Sequence, residues 1–179
     1  FDAQRKISQI VPVARTAAHR LIEECMLCAN VCAAQLLEKA KVPALFRVHG
    51  GPSEERLTGL REFLGELGIG LGGGEAPQPE DYQRVLKSVV GRDDASVIQS
   101  VLLRSMSQAV YQADNQGHFG LAYDAYTHFT SPIRRYADLL VHRALKGLIK
   151  GPKKLAQVRR IEHDEMALSA DIYPYGQQQ

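Results

Sequence analysis

Apolar and polar positions along this chain group into blocks with helical spacing, broken by short runs of glycine and proline. From about Ala14 to Ala40 no glycine or proline intervenes before Pro43, which predicts one long helix. On it Leu21, Cys25, Cys28, Cys32 and Leu36 form the expected core stripe, and His19, Glu23 and Asn30 share the opposite arc. Ala44 to His49 reads as a strand, closed by Gly50-Gly51-Pro52. Ser53 is placed to cap a helix to about Leu67, with Glu54 and Glu55 in its first turn and Leu57, Leu60, Leu64 and Leu67 facing inward. Five glycines between Gly68 and Gln78 predict a flexible turn; no Lys-Ser/Thr follows to make it a phosphate loop. Helices are expected over about Pro79 to Val90 and Asp94 to Tyr111, the second burying Val97, Val101, Leu102 and Met106. The opening FDAQRKISQIV reads as a hairpin.

The stretch His118 to His142 departs from this pattern. Tyr111, Phe119, Tyr123, Tyr126, Phe129 and Tyr136 are six of the twelve aromatic residues of the chain, and a basic run begins where they end. Aromatic faces stack on bases and arginines pair with phosphates, so the interleaving suits single-stranded nucleic acid. His118 to Phe129 reads as a strand or extended arm, and Ser131-Pro132 as the N-cap and first position of a helix. Its stripe would be Ile133, Ala137, Leu140, Val141, Ala144, Leu145 and Leu148. Arg134, Asp138 and His142 step by four along another face, which would let Asp138 hold the Arg134 guanidinium against a phosphate.

Composition sets limits. With 179 residues, 45% hydrophobic and 23% charged, the chain reads as one soluble globular domain, and no apolar run is long enough for a membrane span. It begins at Phe1 with no leader pattern, which reads as a piece excised from a longer protein. Net charge is only +2, yet Ser131 to Arg160 carries nine Lys or Arg against the single acid Asp138, the footprint either of a polyanion site or of a solvated helix face. Cys25, Cys28 and Cys32 on one helix read as core rather than as a zinc knuckle, and as reduced thiols they suit the cytoplasm. Asp93-Asp94 stands at a helix start, where acids cap, rather than in a metal-binding pattern.

The motifs HFGLA and YTHFTSPIRRY, with Asp138 and His142 behind them, resemble the signature of the ribonuclease II/R family, whose catalytic domain is called RNB. LIEECMLCAN and PALFRVHGGPS bring the likeness nearer to the ribonuclease R branch. It runs from Phe1 to about Lys150, so residues 1–179 read as the C-terminal portion of an RNB domain, with 151–179 less firmly placed. The resemblance implies a helix-dominated α+β fold with an incomplete small sheet, its helices lining an RNA channel. It implies a parent that hydrolyses single-stranded or structured RNA processively from the 3′ end to nucleoside monophosphates, using Mg²⁺. Carried onto this sequence, Arg134 is the catalytic cation, and Tyr126, His128, Thr130, Ser131, Arg135, Tyr136, Glu23 and Asn30 face RNA, with Asp138 and His142 in support. The family's metal-binding aspartates lie earlier than the matched region, so the chain alone is expected to bind no metal and to be inactive. Single-stranded RNA is the expected partner, with OB-type domains on either side in the parent. Two alternatives stand beside this: an RNA-binding or adaptor protein that kept the channel without catalysis, and a metallohydrolase built on Asp138 and His142 with His118 or His128.

Overall fold

The computed structural model describes residues 14–151; the hairpin expected over the opening residues and the basic positions from Lys153 to Arg160 lie outside them. The fold is α+β and helix-dominated. In chain order it comprises α1 (Ala17–Lys39), β1 (Phe46–Val48), α2 (Glu54–Glu66), α3 (Pro79–Ser88), α4 (Ala95–Ser105), β2 (Val110–Gln112), a 3₁₀ turn at Phe119–Leu121 and α5 (Tyr136–Ile149). The two strands pair antiparallel, with Phe46 opposite Gln112 and Val48 opposite Val110.

Two apolar centres organise the elements. In one, Leu60 and Leu64 of α2, Tyr82, Val85 and Val89 at α3, and Ile98 and Leu102 of α4 pack together. In the other, Ala33 and Leu37 of α1 meet Val141 and Ala144 of α5 beneath Val42 and Ala44. Ala34 meets Phe46, Val48 and Ala125 alongside. Burying each of the larger side chains contributes roughly 1.5–3 kcal/mol.

The structure turns α1 the other way round from the periodicity reading. Its buried residues are Asn30, Ala33, Ala34 and Leu37, whereas Cys25, Cys28 and Cys32 are exposed, with Leu21 at 63% and Leu36 at 48%. Alanines score weakly as apolar, but their small side chains are what let α5 and the sheet approach the helix closely.

Two further expectations change. The helix read to Tyr111 stops at Ser105, and its inward side is Ile98, Leu102 and Ser105, with Val97 exposed. Beyond it the chain is drawn off by polar contacts: Arg56 donates to the Met106 carbonyl, the Ser107 hydroxyl to Gly51, and His49 engages the Ser107 carbonyl at 2.6 Å. Val110-Tyr111-Gln112 is thereby released to pair with β1. The glycine-rich turn, read as flexible, is packed on α3. Asp81, 5% exposed, accepts the Gln78 N–H at 2.7 Å and the Arg84 guanidinium at 2.6 Å. A Cβ at Gly73 would stand 2.4 Å from that carboxylate.

Candidate RNA-binding site

The site is built on the segment 125–135, held between β1, α1 and α5. The Arg47 N–H donates to the Tyr126 carbonyl at 2.9 Å, and the Thr127 hydroxyl to the Leu45 carbonyl at 2.6 Å, which seats the segment on the strand. It is therefore not the long strand or arm that its aromatic content predicts. His118 makes only isolated bridges, to His49 and Tyr123, around the 3₁₀ turn.

Beyond Thr130 the chain does not enter the helix at Ser131-Pro132. Residues 132–134 form a turn, and α5 begins at Tyr136 with Arg135 as its N-cap residue in extended conformation. The Ser131 carbonyl accepts from the N–H groups of Arg134 and Arg135 at 3.2 and 3.1 Å, while the Ser131 N–H donates to Asp138 Oδ2 at 2.7 Å. The carboxylate of the helix's first turn thus binds back to the loop and displaces Ser131 from capping. Ile133, expected in the buried stripe, is fully exposed.

This geometry changes which arginine Asp138 holds. Asp138 is 0% exposed, and its oxygens meet Arg135: Nε lies 2.8 Å from Oδ1, and Nη2 donates to Oδ2 at 2.8 Å. The hydrogen bond from Nη2, with Nε in ion-pair contact but making no hydrogen bond, holds the guanidinium against the carboxylate. Arg134 lies on the preceding turn, exposed, and its side chain makes no hydrogen bond or ion pair among the described residues. One arginine is structural and its neighbour is free to meet an anion.

The other expected contacts divide in the same way. Asn30, Tyr126, Thr130, Ser131, Arg135, Asp138 and His142 form one connected cluster. Asn30 bonds the Tyr126 hydroxyl and the Phe129 and Thr130 N–H groups. His142 Nε2 bonds the Phe129 carbonyl at 2.9 Å while its ring stacks on Phe129 at 4.4 Å. Tyr126 is 6% exposed, and Tyr136 is 44% exposed at the start of α5. Glu23 lies nearer the N-terminal end of α1, paired with Arg15. His128 is half-buried, its Nδ1 2.5 Å from the Tyr111 hydroxyl. Burial and the Arg135 charge push its pKa down to about 4. His118 is likewise lowered to about 4, by burial and by His49. Both rings are neutral at pH 7, so they offer stacking faces and hydrogen bonds rather than charge.

The sequence did not single out His49. It is 9% exposed; its Nε2 meets the Ser107 carbonyl and its Nδ1 accepts the Gly120 N–H at 2.7 Å, partners 58 and 71 residues away. No local signal in ALFRVHGG marks such a residue.

Among the described residues no three of His, Cys, Asp and Glu come together to hold a metal ion. Asp138 and His142 are turned to protein donors and acceptors, and Asp94 makes a two-point pair with Arg92 at 2.8 and 2.7 Å, which holds its carboxyl below the usual range. Asp94 occupies the N-cap position of α4 but makes no side-chain cap. The described residues therefore do not fit the Mg²⁺ that the family resemblance implies.

Residues 1–151 match the RNB domain family, and the chain belongs to it. Among its relatives, the ribonuclease R of Vibrio cholerae is 63% identical over 149 residues, covering 83% of this chain and 18% of the relative. That of Escherichia coli is 56% identical over the same shares. The chain thus spans about a fifth of the length of these curated relatives. Mycoplasma genitalium RNase R in complex with ribose methylated single-stranded RNA superposes with a TM-score of 0.74 at 30% identity, covering 83% of this chain and 24% of that one. Yeast Ssd1, a pseudonuclease, superposes with a TM-score of 0.68 at 25% identity, covering 86% and 20%.

Proposed function

We propose that this chain is the C-terminal part of the RNB catalytic domain of a ribonuclease R-like exoribonuclease, one that degrades single-stranded RNA from its 3′ end in the cytoplasm. In this reading the chain supplies the RNA path and the phosphate-neutralising cation, and Mg²⁺ ligands and OB-type domains belong to other parts of the protein. The observation that carries it is Arg134: exposed, without an internal partner among the described residues, and borne on a turn fixed by Asp138 at Ser131 and Arg135. A turn so fixed carries the guanidinium at one place on the surface, where it stabilises charge as it develops on a phosphate.

The test is Arg134→Ala in the full-length gene product. Turnover on a 3′-tailed RNA falls about 100-fold or more, with RNA affinity changed far less. Arg134→Lys restores little, because a point charge does not reproduce the planar fork. Equal losses of turnover and affinity would count against the assignment. The 179-residue chain alone, given the same RNA with Mg²⁺ or Mn²⁺, leaves it unshortened.

The likeness to a pseudonuclease supports a second reading, an adaptor that keeps the RNA path without catalysis. Full-length protein that binds the RNA but never shortens it, with or without Arg134, would favour that reading.

A further inference from the structure

We infer that Asn30 is a positioning residue, the point at which α1 fixes the loop that presents Arg134; this rests on the reading of Arg134 just given. Asn30 is 3% exposed, in the middle of a helix whose other buried residues are Ala33, Ala34 and Leu37. A buried amide in such surroundings destabilises the fold unless its hydrogen bonds are made. Asn30 makes three, all to the same loop. Its Oδ1 accepts from the N–H groups of Phe129 at 2.9 Å and Thr130 at 3.3 Å, and its Nδ2 donates to the Tyr126 hydroxyl at 2.9 Å. The two backbone donors fix which end of the amide is oxygen, since the reverse orientation would set N–H against N–H.

The loop downstream is built as a relay. His142 takes the Phe129 carbonyl, Asp138 takes the Ser131 N–H, and the Ser131 carbonyl takes the N–H groups of Arg134 and Arg135. Asn30 anchors one end of this run and Asp138 the other, so the Cα of Arg134 is held while its side chain stays free. A leucine at position 30 would suit the apolar neighbours better but would leave two backbone donors and a phenol without partners. Direct RNA contact by Asn30 is not required and its burial disfavours it.

The experiment is a double-mutant cycle in the full-length gene product together with amide exchange in the 179-residue chain. Asn30→Ala lowers kcat about 10- to 100-fold and leaves KM within about 3-fold. In an Arg134→Ala background the same change costs less than about 3-fold further, because the arginine it positions is gone. Asn30→Asp retains most of the activity, since its carboxyl accepts the same two N–H bonds and Tyr126 can turn its hydroxyl to donate. In the chain, exchange at Phe129 and Thr130 accelerates in Asn30→Ala and stays slow in Asn30→Asp. Additive losses of kcat across the cycle, or unchanged exchange in Asn30→Ala, would overturn the inference. If Arg134→Ala alone leaves turnover intact, the catalytic reading of Arg134 fails and the inference with it. A loss from Arg134→Ala with none from Asn30→Ala sinks this inference alone.

Discussion

Histidines carry the clearest pH dependence at the level of single residues. His118 and His128 are held at about 4 in the fold, against 6.5 in an unfolded chain. Between those values the unfolded state binds more protons than the folded one, so stability rises with pH across the interval. Their contribution is complete above about pH 6.5 and is lost as pH falls through 4. Thermal unfolding of the chain at pH 7, 5.5 and 4.5 should show a falling Tm, with a shallower fall in His128→Gln; equal slopes in both proteins would refute the assignment. The same side chains show what sequence conveys about a site. The motif around Ser131 to His142 was legible because the motif itself names those residues. Which arginine Asp138 would grasp was not, because three residues of turn in place of helix move Arg134 away from Asp138 and bring Arg135 to it.

Among elements, local signals and tertiary ones separate cleanly. Helix α2 was readable because its cap and leucines are local: Ser53 accepts from the Arg56 N–H, and Leu57, Leu60 and Leu64 are buried. The end of α4 was not, because the residues just past it, Met106 and Ser107, are engaged by Arg56 of α2 and by His49 and Gly51 after β1, which lie 50 or more residues away in sequence. The face of α1 was misread for a related reason: periodicity finds an apolar stripe but not what will cover it. The glycine-rich connection gives a test. Gly73 has φ +83° and its absent side chain lies against Pro77 and Asp81, so Gly73→Ala meets both backbone strain and a clash. It should lower stability by about 1–3 kcal/mol in urea unfolding, while Gly70→Ala, where nothing stands within 4 Å, should change it little. A neutral Gly73→Ala would mean the turn is as loose as its composition suggests.

At the scale of the molecule, α1 carries a stripe of Leu21, Cys25, Cys28, Cys32 and Leu36 that no described residue covers. The thiols of Cys25 and Cys28 should therefore react with a disulfide reagent in the native chain at rates near those of the unfolded protein. Slow reaction in the folded state, relieved by urea, would show the stripe to be covered. Replacing all three by serine should leave the stability of the isolated chain within about 0.5 kcal/mol.

The long reach of the Asn30 contacts sets an order of events in synthesis. Phe129 lies 99 residues beyond Asn30, and α5, which buries Ala33 and Leu37, lies further still. At about 5–20 residues per second of translation, α1 leaves the ribosome roughly 5–20 s before the partners that cover it are made. Through that interval the face of α1 that meets α5 has only Val42, Ala44 and the residues of β1 to pack against, which leaves this helix a segment for a holding chaperone to bind.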